Sequence, residues 1–404
     1  MAEAQPFLPY GRQVIEDDDI AAVTEALRAD LLTTGPRVEA FERAFAETVG
    51  ARHAVACSSG TAALHLSMLA LDLQPGDVVI APAITFAATA NCARYQGGEV
   101  IFADVDPDTG LMTPETLAAA IGRLGGRRLK AVLPVHLSGN VADLPGIRRL
   151  AEPYGAELVE DACHALGTTM AGGNQPERVG DGRHSALACF SFHPVKTMTT
   201  GEGGMVTTSD PALAQRLRLY RTHGISRDPA GFQHHDLAFD ADGAVNPWIY
   251  EMQALGYNYR LPDLLCALGL SQLAKLDRFI ARRRSLAERY RTLLQPLAPL
   301  VRAVTPPRGC DPALHLFVVL IDFAAAGLSR RQVTEALRAQ GIGSQVHYIP
   351  VHRQPYYQAR YGPIDLPGAD AYYSRCLSLP LFPSMADSDP ERVVVALRAG
   401  RGVG

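Results

Sequence analysis

The sequence predicts an α/β protein with a large, mainly parallel, doubly wound sheet followed by a smaller α+β domain. Between residue 50 and about residue 210, short β-rich runs alternate with helical patterns, which is typical of repeated βα units. Most of these runs are continuously apolar, as expected of strands that helices cover on both faces. We therefore expect residues 1–260 to form N-terminal helices and a large domain. Residues 261–404 are expected to form a long linking helix and a small C-terminal domain.

The strand candidates of the large domain are short apolar runs bounded by turn residues. They are His53–Cys57, Val78–Ala83, Glu99–Asp104, Leu129–His136, Glu157–Asp161, Ala186–Phe192 and Gly204–Thr208. The helices predicted between them are Thr61–Leu71, Phe86–Gln96, Pro114–Ile121 and Leu144–Tyr154. Two amphipathic helices precede the sheet, at Asp17–Arg28 and Val38–Val49, where Gly50 provides a stop signal.

The second half of the chain starts with a segment rich in turn signals, residues 224–256, and loops of this length are often functional. Residues 261–297 are predicted to form one or two long helices, with Arg282–Arg284 on the solvated face. The small domain is expected to contain the strands Leu316–Ile321 and Gln345–Ile349 and the helix Arg330–Gln340.

Composition excludes several classes of function. The 404 residues include 38 basic and 42 acidic side chains, a formal charge of −4, so attraction to nucleic acid or to an anionic membrane is disfavoured. No export signal is visible, and the apolar stretch 78–93 is shorter than the roughly 20 residues of a membrane-spanning helix. The seven cysteines form no CxxC pair, so we expect no metal site and a reducing, cytoplasmic location.

The run from Phe190 to Gly204 is the most informative for chemistry. It places Lys196 after a nearly uncharged strand and before a Thr/Gly-rich loop, where the stem of the lysine can be enclosed. Desolvation favours the neutral amine, which is the form that adds to a carbonyl carbon. An isolated lysine would be interpreted as a surface residue, so the assignment depends on two further signals.

The first signal is Ser58-Ser59-Gly60-Thr61 between a strand and a helix, where backbone N–H groups can bind a phosphate, although the pattern also fits an ordinary helix cap. The second is the strand that ends at Asp161, followed by His164, at the sheet edge where open α/β sheets bind ligands. His164 could orient this acid or bind a hydroxyl group on the ring of a ligand. It could also be a core histidine whose ring nitrogens are hydrogen-bonded within the protein. An anion site, an acid and an amine are the parts that pyridoxal 5′-phosphate (PLP) needs.

From Tyr10 to about Pro380, the sequence resembles the DegT/DnrJ/EryC1/StrS family of sugar-nucleotide aminotransferases. The resemblance implies the PLP-dependent aminotransferase fold type I. The shared runs are Leu31–Pro36, Ser58–Leu64, Glu160–His164, Ser191–Gly204 and Gly256–Arg260.

The resemblance also implies roles for individual residues. Lys196 would form the Schiff base with PLP, and Asp161 would pair with the pyridine nitrogen, so that Lys196, Asp161 and His164 are the predicted catalytic residues. The residues implied in cofactor binding are Gly60, Thr61, Phe86, Asp161, His164, Ser191, Lys196 and Asn258. Asn258 would reach the phosphate from the neighbouring subunit, which makes a homodimer part of the active site.

Within the family, the similarity is greatest to the aminotransferases of pseudaminic acid biosynthesis. It implies transfer of an amino group from L-glutamate to the C4 keto group of a UDP-linked 4-keto-6-deoxy N-acetyl amino sugar. The positions implied in contact with this sugar nucleotide are Tyr10, Asp30, Leu31, Leu32, Thr33, Gln345, Val346, His347 and Tyr348. Thr197-Met198 departs from the usual pattern of that group and leaves the substrate open.

Other interpretations remain. The enzyme could act on another nucleotide-linked 3- or 4-keto sugar. A sugar dehydratase of the same fold would carry histidine in place of Lys196, and a non-catalytic sensor would be expected to lose the lysine or the acid. A nicotinamide dehydrogenase is disfavoured because the Gly-x-Gly-x-Gly run, 400–404, lies at the C-terminus without a strand and helix around it.

Overall fold

The computed structural model describes residues 6–173 and 175–399, so the run 400–404 lies outside it. The strands are β1 (His53–Cys57), β2 (Val78–Pro82), β3 (Glu99–Ala103), β4 (Leu129–Val132), β5 (Glu157–Asp161), β6 (Thr169–Met170), β7 (Glu177–Arg178), β8 (Leu187–Ser191), β9 (Gly204–Thr208), β10 (Ile225–Ser226), β11 (Glu251–Met252), β12 (Val301–Ala303), β13 (Cys310–Asp311), β14 (Phe317–Ile321) and β15 (Cys376–Leu379).

The helices alternate with these strands through the large domain and then surround the small sheet. They are α1 (Asp17–Leu27), α2 (Pro36–Val49), α3 (Gly60–Ala70), α4 (Ala87–Tyr95), α5 (Pro114–Ile121), α6 (Leu144–Ala151), α7 (Pro211–Arg221), α8 (His235–Ala238), α9 (Asp263–Leu273), α10 (Leu276–Leu294), α11 (Arg330–Ala339), α12 (Pro355–Tyr361), α13 (Pro367–Arg375) and α14 (Asp389–Ala399).

The large sheet has the strand order β1-β9-β8-β5-β4-β2-β3. Neighbouring strands are parallel from β8 to β3, whereas β9 runs antiparallel to both β8 and β1. The predicted mainly parallel, doubly wound sheet is therefore confirmed. Its strands are almost entirely buried because apolar clusters cover both faces, which explains why most of them are continuous apolar runs in the sequence.

The small sheet has the order β12-β14-β15 and is antiparallel throughout. A separate apolar cluster lies between this sheet and residues of α10, α11 and α14. The division of the chain at residue 260 stays a prediction. Within the described residues, no helix is both long and apolar enough to cross a bilayer.

Two predictions for the second half of the chain need correction. The run Gln345–Ile349 is not a strand, since only Gln345 forms a bridge, to Ser378. The strands that pair with β14 are β12 and β15, because packing against the small core selects short runs whose sequence signal is weak. Residues 224–256 are also more than a loop, since they contain the β10–β11 ribbon and the short helix α8.

Candidate active site

A cavity of about 630 Å³ opens where β5 and β8 end, at the sheet edge that the sequence indicated. This volume is within the range of small-molecule sites. Several predicted site residues line it together: Tyr10, Gly60, Thr61, Phe86, Asp161, His164, Ser191, Lys196, His347 and Tyr348. The structure thus brings together groups that are as far apart in the chain as residues 10 and 348.

The start of α3 forms one wall of the cavity. Ser59 caps the helix, because its hydroxyl accepts the N–H of Ala62 at 3.0 Å. The first N–H groups of a helix have no partner within the helix, and Gly60 and Thr61 at this position line the cavity. A side chain at residue 60 would place its Cβ 2.8 Å from Cβ of Ser191, so glycine is required for this close approach. The wall is suited to a phosphate group.

Asp161 lies at the carboxyl end of β5 and is buried. Its Oδ2 accepts a hydrogen bond from the hydroxyl of Thr89 at 2.6 Å, and its Oδ1 accepts the N–H of Cys163 at 3.2 Å. Because the single proton of Thr89 is used in this bond, the hydroxyl of Thr85, at 2.6 Å from that of Thr89, is the donor to Thr89. A relay of two threonines therefore holds the carboxylate.

Lys196 lies in the loop after β8 and is partly buried where it lines the cavity. Enclosure lowers the pKa of Lys196 below its usual value, an effect that the neighbouring Cys163 and Asp161 partly oppose. The structure thus provides the desolvation expected from the sequence. A lowered pKa increases the fraction of neutral amine, which is the nucleophilic form.

His164 and Tyr348 form a hydrogen-bonded pair beside the lysine. Burial lowers the pKa of His164 well below its usual value, so the ring is neutral. Nδ1 accepts the N–H of Ser138 at 3.3 Å, which places the ring proton on Nε2, 3.1 Å from Oη of Tyr348. His164 then donates to Tyr348, and the proton of the Tyr348 hydroxyl can be donated to a group in the cavity.

Two further histidines keep this wall uncharged. Burial lowers the pKa of His347 to about 3, and its Nδ1 lies 2.8 Å from the hydroxyl of Ser378. Burial also lowers the pKa of His315 well below its usual value, and the ring of His315 lies 4.5 Å from that of His164. Neutral imidazoles beside Lys196 avoid the repulsion that charged rings would add.

The sequence predicted that Arg282–Arg284 lie on the solvated face of α10. This prediction is wrong for Arg283. Arg283 is buried, and its guanidinium donates to the carbonyl oxygens of Leu381 at 2.8 Å and His315 at 3.2 Å. A longer contact of 3.4 Å reaches the carbonyl oxygen of Lys196. Burial lowers the pKa of Arg283 to about 10. The error arose because helical periodicity does not reveal that the small domain covers this side of α10.

Other predicted residues lie outside this cavity. Asn258 is exposed, and so are Gln345 and the segment 30–33, whereas Val346 is partly buried. None of these residues is among those that line the cavity of the same chain. That Asn258 serves a neighbouring subunit stays a prediction.

Sequence reasoning did not single out several residues of the site. Thr85 and Thr89 flank the start of α4, and Thr89 contacts an acid that is 72 positions away in the chain. His315 precedes β14, and its sequence neighbours carry no motif. Cys163 lines the cavity directly, although the sequence indicated it only as a member of the Glu160–His164 run.

These residues fit PLP. The start of α3 with Ser191 suits the phosphate, the buried Asp161 suits a protonated pyridine nitrogen, and the enclosed Lys196 suits the aldehyde carbon. PLP, when bound, supplies an electron sink and carries the amino group from donor to acceptor. A mainly parallel sheet with these three groups at one edge defines the class of fold type I PLP-dependent aminotransferases.

The comparisons with known proteins agree with this class. The model of the DegT/DnrJ/EryC1/StrS aminotransferase family matches residues 13–398, and the chain belongs to this family. It is 40% identical over 399 residues to the spore coat polysaccharide biosynthesis protein SpsC of Bacillus subtilis (strain 168), covering 97% of this chain and 96% of that protein. The chain is thus a sugar aminotransferase with PLP as its cofactor.

Solved structures show the same relationship. PseC of Helicobacter pylori, an aminotransferase involved in the biosynthesis of pseudaminic acid, superposes with a TM-score of 0.86 and 26% identity over 98% of this chain and 99% of PseC. DesI, solved in the presence of its TDP-sugar product, gives a TM-score of 0.83 and 32% identity over 98% of this chain and 93% of DesI.

Proposed function

We propose that the protein transfers an amino group from L-glutamate to the C4 keto group of a UDP-linked 4-keto-6-deoxy N-acetyl amino sugar. This is the reaction of UDP-4-amino-4,6-dideoxy-N-acetyl-β-L-altrosamine transaminase in pseudaminic acid biosynthesis. The supporting observation is that Tyr10, His347 and Tyr348 lie together on one wall of the Lys196 cavity, with 5.5 Å between the ring centres of Tyr10 and His347. The structural similarity to PseC supports the same assignment.

A second candidate is amination of another nucleotide-linked 3- or 4-keto sugar. Identity to SpsC, at 40%, and to DesI, at 32%, is higher than the 26% shared with PseC. Thr197, beside the lysine, is buried and departs from the pattern of the pseudaminic acid group. The substrate panel below separates these candidates.

The residues of the cavity would have separate roles in binding the cofactor and in moving protons. Gly60, Thr61 and Ser191 would hold the cofactor phosphate, while Asp161 would hold the proton on the pyridine nitrogen. The neutral Nζ of Lys196 would take a proton from the donor carbon that bears the amino group and deliver it to the cofactor carbon. One flexible base can serve both carbons because both lie within its reach.

Three aromatic side chains would orient the reactants. Phe86 lies at the cavity wall with its ring centre 6.2 Å from that of Tyr348, and its 59% exposure leaves a face available for stacking on the cofactor ring. His164 would meet the ring hydroxyl. The Tyr348 hydroxyl would donate a hydrogen bond to an oxygen of the bound reactant.

The active site would be completed by a second copy of the chain in a homodimer. The exposed positions of Asn258 and of the segment 30–33 support this arrangement, because these residues do not line the cavity of their own chain. In residues 224–256, the side chains of Trp248 and Leu255 are 71% and 76% exposed, which fits a surface that a partner covers. The seven cysteines are unpaired, which supports a cytoplasmic location.

The test is a panel of UDP-, dTDP- and GDP-linked 3- and 4-keto sugars incubated with L-glutamate and the PLP-loaded protein, with products identified by mass spectrometry and NMR. Amination at C4 of the UDP-linked N-acetyl sugar in clear preference to the others is expected. Preference for a dTDP-linked sugar would favour the second candidate. Failure to aminate any keto sugar would refute the substrate class proposed for this chain.

A further inference from the structure

Asp263, the first residue of α9, is a fully buried carboxylate outside the cavity described above. We propose that Asp263 is a positioning residue that, through the turn at Thr34, holds the segment 30–33 in the geometry that contacts the sugar nucleotide. The inference rests on the proposed function, in which this segment binds the substrate. It concerns the acceptor sugar and not the reaction with the amino donor.

The carboxylate of Asp263 acts as a remote cap for α2. Its Oδ2 accepts the N–H of Gly35 at 2.7 Å, and its Oδ1 accepts the N–H of Arg37 at 2.9 Å. The cap residue of α2 is Gly35, which has no side chain, so the helix start has no local cap. The starts of α2 and α9 both meet this carboxylate, so free N–H groups of both helices face it. Such charge-assisted hydrogen bonds are among the strongest in proteins.

The segment before Gly35 depends on this contact. Thr34 has a φ of 60°, which a residue with a side chain rarely adopts, so the turn needs external support. Leu31 and Leu32 are 51% and 48% exposed and are therefore not anchored in the core. A Cβ at residue 35 would lie 2.7 Å from Oδ1 of Asp263, which explains why glycine occupies this position.

The residues that precede Asp263 in the chain contact the cofactor site. The carbonyl oxygen of Tyr259 accepts the N–H of Ser58 at 2.9 Å, at the start of the phosphate-binding wall. Residues 258–263 thus link that wall to the turn 30–34. Because the turn does not line the cavity of its own chain, it would contact the sugar nucleotide in the site of the partner subunit under the proposed function. Its release should therefore change sugar binding and leave the chemistry around Lys196 intact.

The test separates the two half-reactions of the PLP-loaded enzyme. Asp263→Asn keeps the shape of the side chain but turns an NH₂ group toward one of the two N–H donors. Formation of 2-oxoglutarate from L-glutamate should stay within about twofold of the wild type. The KM for the keto sugar should rise about tenfold or more, as expected when a hydrogen bond to a charged group is lost.

Two further variants make the result specific. Asp277→Asn removes an exposed carboxylate from the first turn of the neighbouring helix α10 and should change neither half-reaction. Gly35→Ala would disturb the contact between Gly35 and Asp263 by placing a Cβ against the carboxylate. It should therefore reproduce the increase in the KM for the keto sugar. It also provides the test if Asp263→Asn does not fold.

Hydrogen exchange of the peptide 28–37 gives a readout that does not depend on activity. The amides of Gly35 and Arg37 should exchange faster in Asp263→Asn than in the wild type. Wild-type exchange rates, a wild-type KM for the sugar, or an equal loss in both half-reactions would each overturn the inference. Failure of the proposed function would differ, because the wild-type protein itself would then aminate no keto sugar.

Discussion

The two threonines behind Asp161 provide a sharp test of how the site is held. Thr89 is fully buried and donates to Oδ2 of Asp161 at 2.6 Å. Replacement by valine keeps the shape of the side chain and removes the donor, so the buried carboxylate loses a charge-assisted hydrogen bond. The loss is worth about 1.5–3 kcal/mol, because hydrogen bonds to charged groups are in this range. The bond also fixes the direction of the carboxylate. If that direction is needed to hold the pyridine nitrogen, Thr89→Val should weaken PLP binding, by at most the roughly 10- to 100-fold factor that this energy corresponds to.

The assay is a titration of the apo protein with PLP, followed by absorbance, which gives the dissociation constant directly. Thr85→Val is the matched control, since it removes the donor to Thr89 but leaves the bond from Thr89 to Asp161 in place. It should change the constant by less than about threefold, as the loss of a neutral hydrogen bond one step away predicts. Equal effects of the two variants, or wild-type affinity of Thr89→Val, would refute the proposed role of the relay.

Three other predictions concern the lysine and the subunit partner. Lys196→Ala should bind PLP without the absorbance of a Schiff base and should lose nearly all turnover; near-normal turnover would falsify its assignment. Enclosure lowers the pKa of Lys196 in the folded chain below its usual value of about 10.4 in the unfolded chain. At a pH between these two pKa values, the unfolded chain binds more protons than the folded chain. Lys196→Met should therefore stabilise the apo protein toward urea at neutral pH, and the gain should shrink as the pH rises toward 10; a pH-independent gain would contradict this. Finally, Lys196→Ala and Asn258→Asp, each inactive alone, should recover up to about half of the activity when reassembled into mixed dimers, because one of the two sites then carries neither change; proven heterodimers without any recovery would exclude a shared site.

Much of the large domain could be predicted because its signals are local. The strands β1, β5 and β9 have the predicted bounds. β1 is an apolar run, as expected of a strand that is buried on both faces, whereas β5 carries acids at its carboxyl end. Asp161 could be found because it ends a strand, and Lys196 because it lies in the loop after one, both at the ligand-binding edge of the sheet. The resemblance to the family added the roles of individual residues, and these roles stay predictions.

The small domain was harder to predict from its sequence. Its strands are short, and pairing between β14 and β15 joins segments about 60 residues apart. Periodicity on α10 correctly indicated a helix but could not show that Arg283 is covered by carbonyl groups from three other segments. A short apolar run such as Gln345–Ile349 looks like a strand until its neighbours are known.

The sequence by itself determined the class of this protein: an α/β sheet with a lysine, an acid and a phosphate-binding helix start, in the order that a PLP aminotransferase needs. Only the tertiary structure decided how these groups are held. Thr89 under Asp161, the neutral pair of His164 and Tyr348, and the remote cap at Asp263 join residues 72, 184 and 228 positions apart. Such contacts leave no local pattern, because their geometry depends on how distant helices and loops pack around the end of the sheet.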